Sequence, residues 1–131
     1  MRLLLDTHII LWSVAEPEKL TATVAKELES PSNELWFSPI SVWEILLLAE
    51  KDRVSLGPDM IKAVRDIFGK IPIKEAPLNQ EVAIQSRLVA LPHQDPADRF
   101  LAASAIVYDL TLVTADTRIL CVQALPVLSA I

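Results

Sequence analysis

An α/β fold of three layers, with helices on both faces of a mainly parallel central sheet, is what this sequence predicts. Three observations carry that expectation. Short apolar runs of strand length, Arg2–Leu5, Leu35–Phe37 and Thr111–Thr114, are separated by longer stretches with helical patterning. Such alternation marks strand–helix units wound around a parallel sheet. Only two glycines occur, while nine prolines punctuate short connections, so no linker divides the chain. At 131 residues it reads as a single domain spanning 1–131, long enough to bury a real core.

Taken in order, Arg2–Leu5 is a short buried strand ending at Asp6, followed by a helix through about Ala15 that Glu16-Pro17-Glu18 breaks. Thr21–Glu29 is an amphipathic helix stopped near Ser30-Pro31, and Leu35–Phe37 is the second strand. The segment from Ser38 leads into a helix through Glu50. Pro58–Phe68 is a further helix, with Gly69 as its expected stop. Ile71-Pro72-Ile73 suits a short edge strand, where a missing N–H is tolerated. Helices follow over Asn79–Val89 and Pro96–Asp109, then the strand Thr111–Thr114, a short helix Asp116–Cys121 and a last strand at Val127-Leu128.

Hydrophobic residues make up 52% of the chain and mean hydropathy is +0.38. No apolar run approaches the roughly 20 residues that span a bilayer, so no membrane partner is expected. Asp6 stands where a secretory leader needs its apolar middle, and the lone Cys121 excludes an internal disulfide. Both suit a cytoplasmic setting, with Cys121 read as a small buried hydrophobe. The apolar excess points to a surface covered by a partner, such as a second copy.

Net charge is −5, which argues against a binder that holds nucleic acid by a basic patch alone. The excess is concentrated. Setting aside Asp6, Glu44, Asp95, Asp98 and Asp116 leaves 12 acidic residues against 12 Lys and Arg. Four of these acids fall at junctions. Asp6 ends the first strand, Glu44 lies in the first turns after the second, Asp98 is in the first turn of a long apolar helix, and Asp116 follows Thr114 by two residues. In a parallel α/β sheet, those positions gather along one edge.

Each acid also has a purely local reading. Asp6 and Asp116 can cap the helices that follow, and Ser41-Val42-Trp43-Glu44 has the form of a capping box. Asp95-Pro96-Ala97-Asp98 is a well-made helix start: a cap, proline at the first position and a carboxylate at the third. Together they invite more. Several carboxylates near a core boundary repel one another unless a cation joins them. Oxygen donors without cysteine suit Mg²⁺ or Mn²⁺ over zinc. His8 and His93, the only histidines, have no metal-ligand spacing between them. His8 reads as a partly buried helix residue and His93 as a loop hydrogen-bonder that props Asp95–Asp98.

Four pieces, Leu4-Leu5-Asp6-Thr7-His8 with Leu11-Trp12, Ser41-Val42-Trp43-Glu44-Ile45, His93-Gln94-Asp95-Pro96-Ala97-Asp98-Arg99 and Leu112-Val113-Thr114-Ala115-Asp116, resemble PIN-domain proteins. The resemblance is to the VapC-like toxin ribonucleases of toxin–antitoxin pairs, in motif order and spacing over nearly the whole chain. It implies the α/β/α sandwich, Mg²⁺- or Mn²⁺-dependent RNA cleavage, a homodimer and a cognate antitoxin that blocks the site. Asp6, Glu44, Asp98 and Asp116 fall on the family's acidic quartet, as metal-holding catalytic residues. Asp95 is either a cap and outer-shell group or a further ligand. Thr7, Ser41 and Thr114 look like supporting hydroxyls, Thr114 being equally a plain strand residue. Arg99 either approaches a phosphate or bridges to a neighbouring acid.

Two other acid-lined α/β classes fail on residues. A receiver domain needs adjacent acids after the first strand and a late lysine, yet Leu5 precedes Asp6 and no lysine follows Lys74. A phosphatase with D-x-D after that strand is excluded by Asp6-Thr7-His8. The remaining alternative is a catalytically inactive PIN-fold interaction module.

Overall fold

A computed structural model describes residues 1–122 and 125–131. Along the chain lie β1 (Arg2–Leu5), α1 (Thr7–Ala15), a 3₁₀ turn (Pro17–Lys19), α2 (Ala22–Glu29), β2 (Glu34–Phe37) and α3 (Pro39–Glu50). Then come α4 (Met60–Lys70), β3 (Ile73–Glu75), α5 (Gln80–Leu88), α6 (Pro96–Val107), β4 (Thr111–Thr114), α7 (Thr117–Leu120) and β5 (Val127–Ser129). The strands form one sheet in the order β3-β2-β1-β4-β5, and every pairing is parallel.

The side-chain alternation of a strand divides the core in two. Leu3 and Leu5 of β1 and Val113 of β4 pack with Ile9, Ile10, Val24, Ile45 and Val64 from α1–α4. Leu4 and Leu112 turn the other way, against Leu101, Ala102 and Ala105 of α6. The alanines of α6 bring its backbone close to the sheet, and Ala97–Ala105 is buried except at Phe100. Both cores meet at β1. The chain winds outward from β1 through β2 to β3, then returns to lay β4 on the other side of β1. That reversal opens a crevice at the carboxyl ends of β1 and β4, where ligands of open α/β sheets are held.

Several local expectations shift. Helix α4 begins after the cap Asp59, whose side chain accepts from Lys62 N–H, and runs through Gly69, because nothing there requires a positive φ. The edge strand lies at Ile73–Glu75 rather than Ile71–Ile73: Ile73 pairs with Leu35, and Pro72, lacking an N–H, only leads into the ladder. Helix α6 stops at Val107. Asp109 takes φ 54° and Leu110 N–H reaches back to Ala105 O at 2.8 Å, a left-handed stop with aspartate in glycine's usual place. Cys121 is exposed, since the buried residue of the short α7 is Ile119. Among the described residues no helix is long and apolar enough to cross a membrane.

Candidate metal centre

Asp6 leaves β1 at the head of α1 but makes no capping bond with its side chain. Its buried carboxylate instead accepts from Thr114 Oγ1 at 2.7 Å. The same hydroxyl accepts from Asp116 N–H at 3.0 Å, so one buried side chain of β4 couples two acids. Burial raises the Asp6 carboxyl above its ordinary range, and the Thr114 bond opposes this.

Glu44 is delivered by a second buried pair. Thr7 Oγ1 donates to Ser41 Oγ at 2.9 Å, pinning the start of α1 to the first turns of α3, one turn before Glu44. Ser41 is therefore not a helix cap. That position belongs to Ser38, whose hydroxyl accepts from Ile40 N–H, because Pro39 starts the helix earlier than a capping box at Ser41 would. Glu44 is raised by burial first and further by Asp6 and Asp95, with the neighbouring Thr7 hydroxyl opposing this.

The third limb is the head of α6. Asp95 caps it, accepting from Asp98 N–H at 3.1 Å, and His93 Nδ1 accepts from Asp95 N–H at 3.2 Å. That bond puts the imidazole proton on Nε2, which lies 3.4 Å from Asp98 Oδ2. Asp98 is raised too: burial, then repulsion from Asp95, Asp6, Asp116 and Glu44, pushes its carboxyl up to about 7. The fourth limb differs in kind. Asp116 caps α7 through Arg118 N–H and receives the Arg118 guanidinium at 3.2 Å on Oδ1 and 2.8 Å on Oδ2. The hydrogen bonds from Arg118 hold Asp116 below the usual carboxylate range.

Asp6, Glu44, Asp95, Asp98 and Asp116 thus line one cavity of about 300 Å³, together with His8, Trp12, Ala115 and Arg118. The tightest possible ligand cluster among the described residues is His93, Asp98 and Asp116, with one donor atom from each within 4.8 Å of the others. This is not the predicted quartet. His93 would have to give up its bond to Asp95 N–H to offer a lone pair at Nε2, so the carboxylates are the better donors. Their fit to a hard cation rests on Asp98, whose negative charge is disfavoured as the site stands and would be relieved by a divalent ion.

Arg99 serves neither expected purpose. Its guanidinium is buried and donates to three carbonyls, Ser86 O at 2.8 Å, Val89 O at 2.9 Å and His93 O at 3.1 Å. It ties the α5–α6 connection together behind the site, out of reach of a phosphate. Three lining residues escaped sequence reasoning as site residues. His8 is exposed at the cavity rather than partly buried, because it projects from the first turn of α1 beside Asp6. Trp12, one turn on, meets its ring edge-on at 6.3 Å. Arg118 carried one signal, its place two residues after a capping aspartate.

A family model described as PIN domain matches residues 3–124. Ribonuclease VapC22 of Mycobacterium tuberculosis is 33% identical over 119 residues, 88% of this chain and 88% of that one. Among solved structures, VapBC2 from Rickettsia felis bound to a DNA fragment from their promoter superposes with a TM-score of 0.73 at 17% identity, covering 98% of both chains. FitAcB from Neisseria gonorrhoeae gives 0.64 at 24% identity, over 98% of this chain and 97% of that one. The two structures share the fold that brings the acids to the β1–β4 crevice. The family model and the relative together span nearly all the residues that build it, and the chain belongs to the PIN domain family.

Proposed function

We propose that this chain is a Mg²⁺- or Mn²⁺-dependent ribonuclease and the toxin of a toxin–antitoxin pair. One observation carries the reading: five acids from four separate segments meet in one cavity, and one of them is pushed up to about 7 by burial first and then by the others. A purely structural cluster gains nothing from such crowding, whereas a site that takes up divalent cations does. The relative named a ribonuclease supports the same class of reaction, and the VapBC structural neighbours support a cognate antitoxin as partner.

Asp6, Glu44, Asp98 and Asp116 would hold the ion, with Asp95 setting the head of α6 and standing close behind. The bound ion supplies an activated water and charge screening at the scissile phosphate. The protein's own part is positioning. Thr114 fixes Asp6 relative to Asp116, the Thr7–Ser41 pair fixes Glu44, and Asp95 with His93 fixes Asp98. No side-chain nucleophile is required. The single domain over 1–131, a homodimer and a cytoplasmic place of action complete the reading.

Calorimetric titration with Mg²⁺ and Mn²⁺, paired with cleavage of total RNA, tests it. The expected result is ion binding and metal-dependent cleavage lost in Asp6→Asn. A folded protein that binds neither ion would instead be the interaction module, and full activity in a folded Asp6→Asn variant would remove Asp6 from the site.

A further inference from the structure

Arg118 is the only lysine or arginine among the described residues that line the acidic cavity. Its guanidinium sits 2.8 Å from Asp116 Oδ2 and 3.5 Å from Asp98 Oδ2, the two carboxylates that also belong to the tightest ligand cluster. The side chain is 55% exposed, so the chain beyond Cβ swings without disturbing the core. A planar fork seated on both oxygens of Asp116, with Nη2 also reaching Asp98 Oδ2, takes up oxygen lone pairs that a divalent ion needs. The two cations therefore exclude each other at Asp98 and Asp116. Once displaced, the guanidinium stays tethered at the mouth of the cavity, where the anion that must approach is a phosphodiester.

We propose that Arg118 is an internal competitor of the divalent cation which, when the cation binds, moves from Asp98 and Asp116 to engage the RNA phosphate. The inference rests on the nuclease reading above. It explains why a cavity lined by five acids carries one cation, and why that cation faces the ligands rather than the rim. Metal uptake and phosphate engagement become one exchange: the ion takes the carboxylates, and the released fork takes the substrate.

Calorimetry of Mg²⁺ binding to the wild type, Arg118→Gln and Arg118→Lys, with KM and kcat for a single-stranded RNA at saturating Mg²⁺, tests it. Arg118→Gln is expected to bind Mg²⁺ roughly tenfold more tightly, the scale of losing a charge-assisted contact to the ligand oxygens. Its KM for RNA should rise by a similar factor while kcat changes less. Arg118→Lys keeps the charge but loses the two-nitrogen fork on Asp116, and should bind Mg²⁺ more tightly than the wild type. Unchanged or weaker Mg²⁺ affinity in Arg118→Gln, wild-type affinity in Arg118→Lys, or an unaltered KM overturns the exchange. A wild type that binds neither Mg²⁺ nor Mn²⁺ overturns the nuclease reading as well; wild-type binding with unaltered variants overturns this inference alone.

Discussion

The flank of the sheet around β2 and β3 and the crevice between β1 and β4 handle acidic side chains in opposite ways. Glu34 on β2 lies 3.6 Å from Arg2 and 3.2 Å from Lys74 and accepts from Trp36 Nε1 at 3.1 Å. Both cations also lie over the Trp36 ring, at 5.3 and 5.6 Å from its centre. The Trp36 hydrogen bond, with Lys74 next, holds Glu34 below its ordinary range. In the crevice, Asp6, Glu44 and Asp98 are all raised, with burial the first cause in each, while Asp116, paired with Arg118, is lowered as Glu34 is. The Glu34 cluster arranges charge for the chain alone. The crevice arranges charge for something that has to arrive.

The sharpest break of that contrast is Asp98→Asn. It removes an anion that burial and four neighbouring carboxylates disfavour, so the metal-free protein should gain stability at neutral pH, on the order of 1–2 kcal/mol. RNA cleavage should fall roughly 10²-fold or more, the scale of losing one transition-state-stabilising group. Thermal melting in EDTA, set beside a cleavage assay, reads both signs. Gain of stability with loss of activity is the mark of a site; loss of both would make Asp98 structural.

Arg99→Met probes what holds the head of α6. Three buried or partly buried carbonyls lose their donor at once, for about 2–4 kcal/mol in chemical denaturation. Mg²⁺ affinity should weaken in the refolded variant, because His93 and Asp95 lose their anchor. Unaltered Mg²⁺ affinity would separate the α5–α6 connection from the site.

The pH dependence follows from the direction of the shifts. Asp98 has a folded-state pKa of about 7 against 3.8, so the folded state binds more protons than the unfolded one between those values. Its contribution is fully present below pH 3.8 and is lost as pH rises through about 7. Asp6 and Glu44 act in the same sense and Asp116 in the opposite one. Melting temperature in EDTA should therefore drop between pH 5 and pH 7.5, and added Mg²⁺ should reduce or invert that slope, since the ion needs the ionised carboxylates. A flat profile in EDTA would contradict the crowding.

Glu34→Gln completes the comparison with the smallest effect. An exposed cluster contributes little and is screened by salt. A slight loss of stability, larger at low ionic strength, is expected with cleavage unchanged.

The sequence revealed most where one residue's neighbours along the chain decide its role. The strands at Arg2–Leu5 and Thr111–Thr114 were legible from apolar runs, and the caps at Asp95 and Asp116 from their spacing to the helix. Partnerships set by the fold were not. Arg99 reads as a charge beside acids, yet its partners are carbonyls at 86, 89 and 93 whose direction depends on how α5 ends. Ser41 has the spacing of a cap, yet Pro39 moves the helix start and frees its hydroxyl for Thr7. Arg118 has no place among the sequence candidates because nothing local shows that Asp98 lies 3.5 Å away. Gly69 reads as a helix stop, yet α4 runs on through Lys70, and the edge strand starts at Ile73, where its pairing with Leu35 begins after Pro72.

The hydrogen bond from Thr114 to Asp6 joins residues 108 positions apart, and that distance sets an order of events during synthesis. A nascent chain carries Asp6, Glu44 and Asp98 well before β4 has left the ribosome, but without β4 nothing lies beside β1 to orient the first acid or present the last. The cavity closes only once β4 has emerged and packed beside β1. A growing chain therefore holds its chemistry in pieces, and the machinery that makes it, itself built largely of RNA, is spared an assembled site until β4 has joined the sheet.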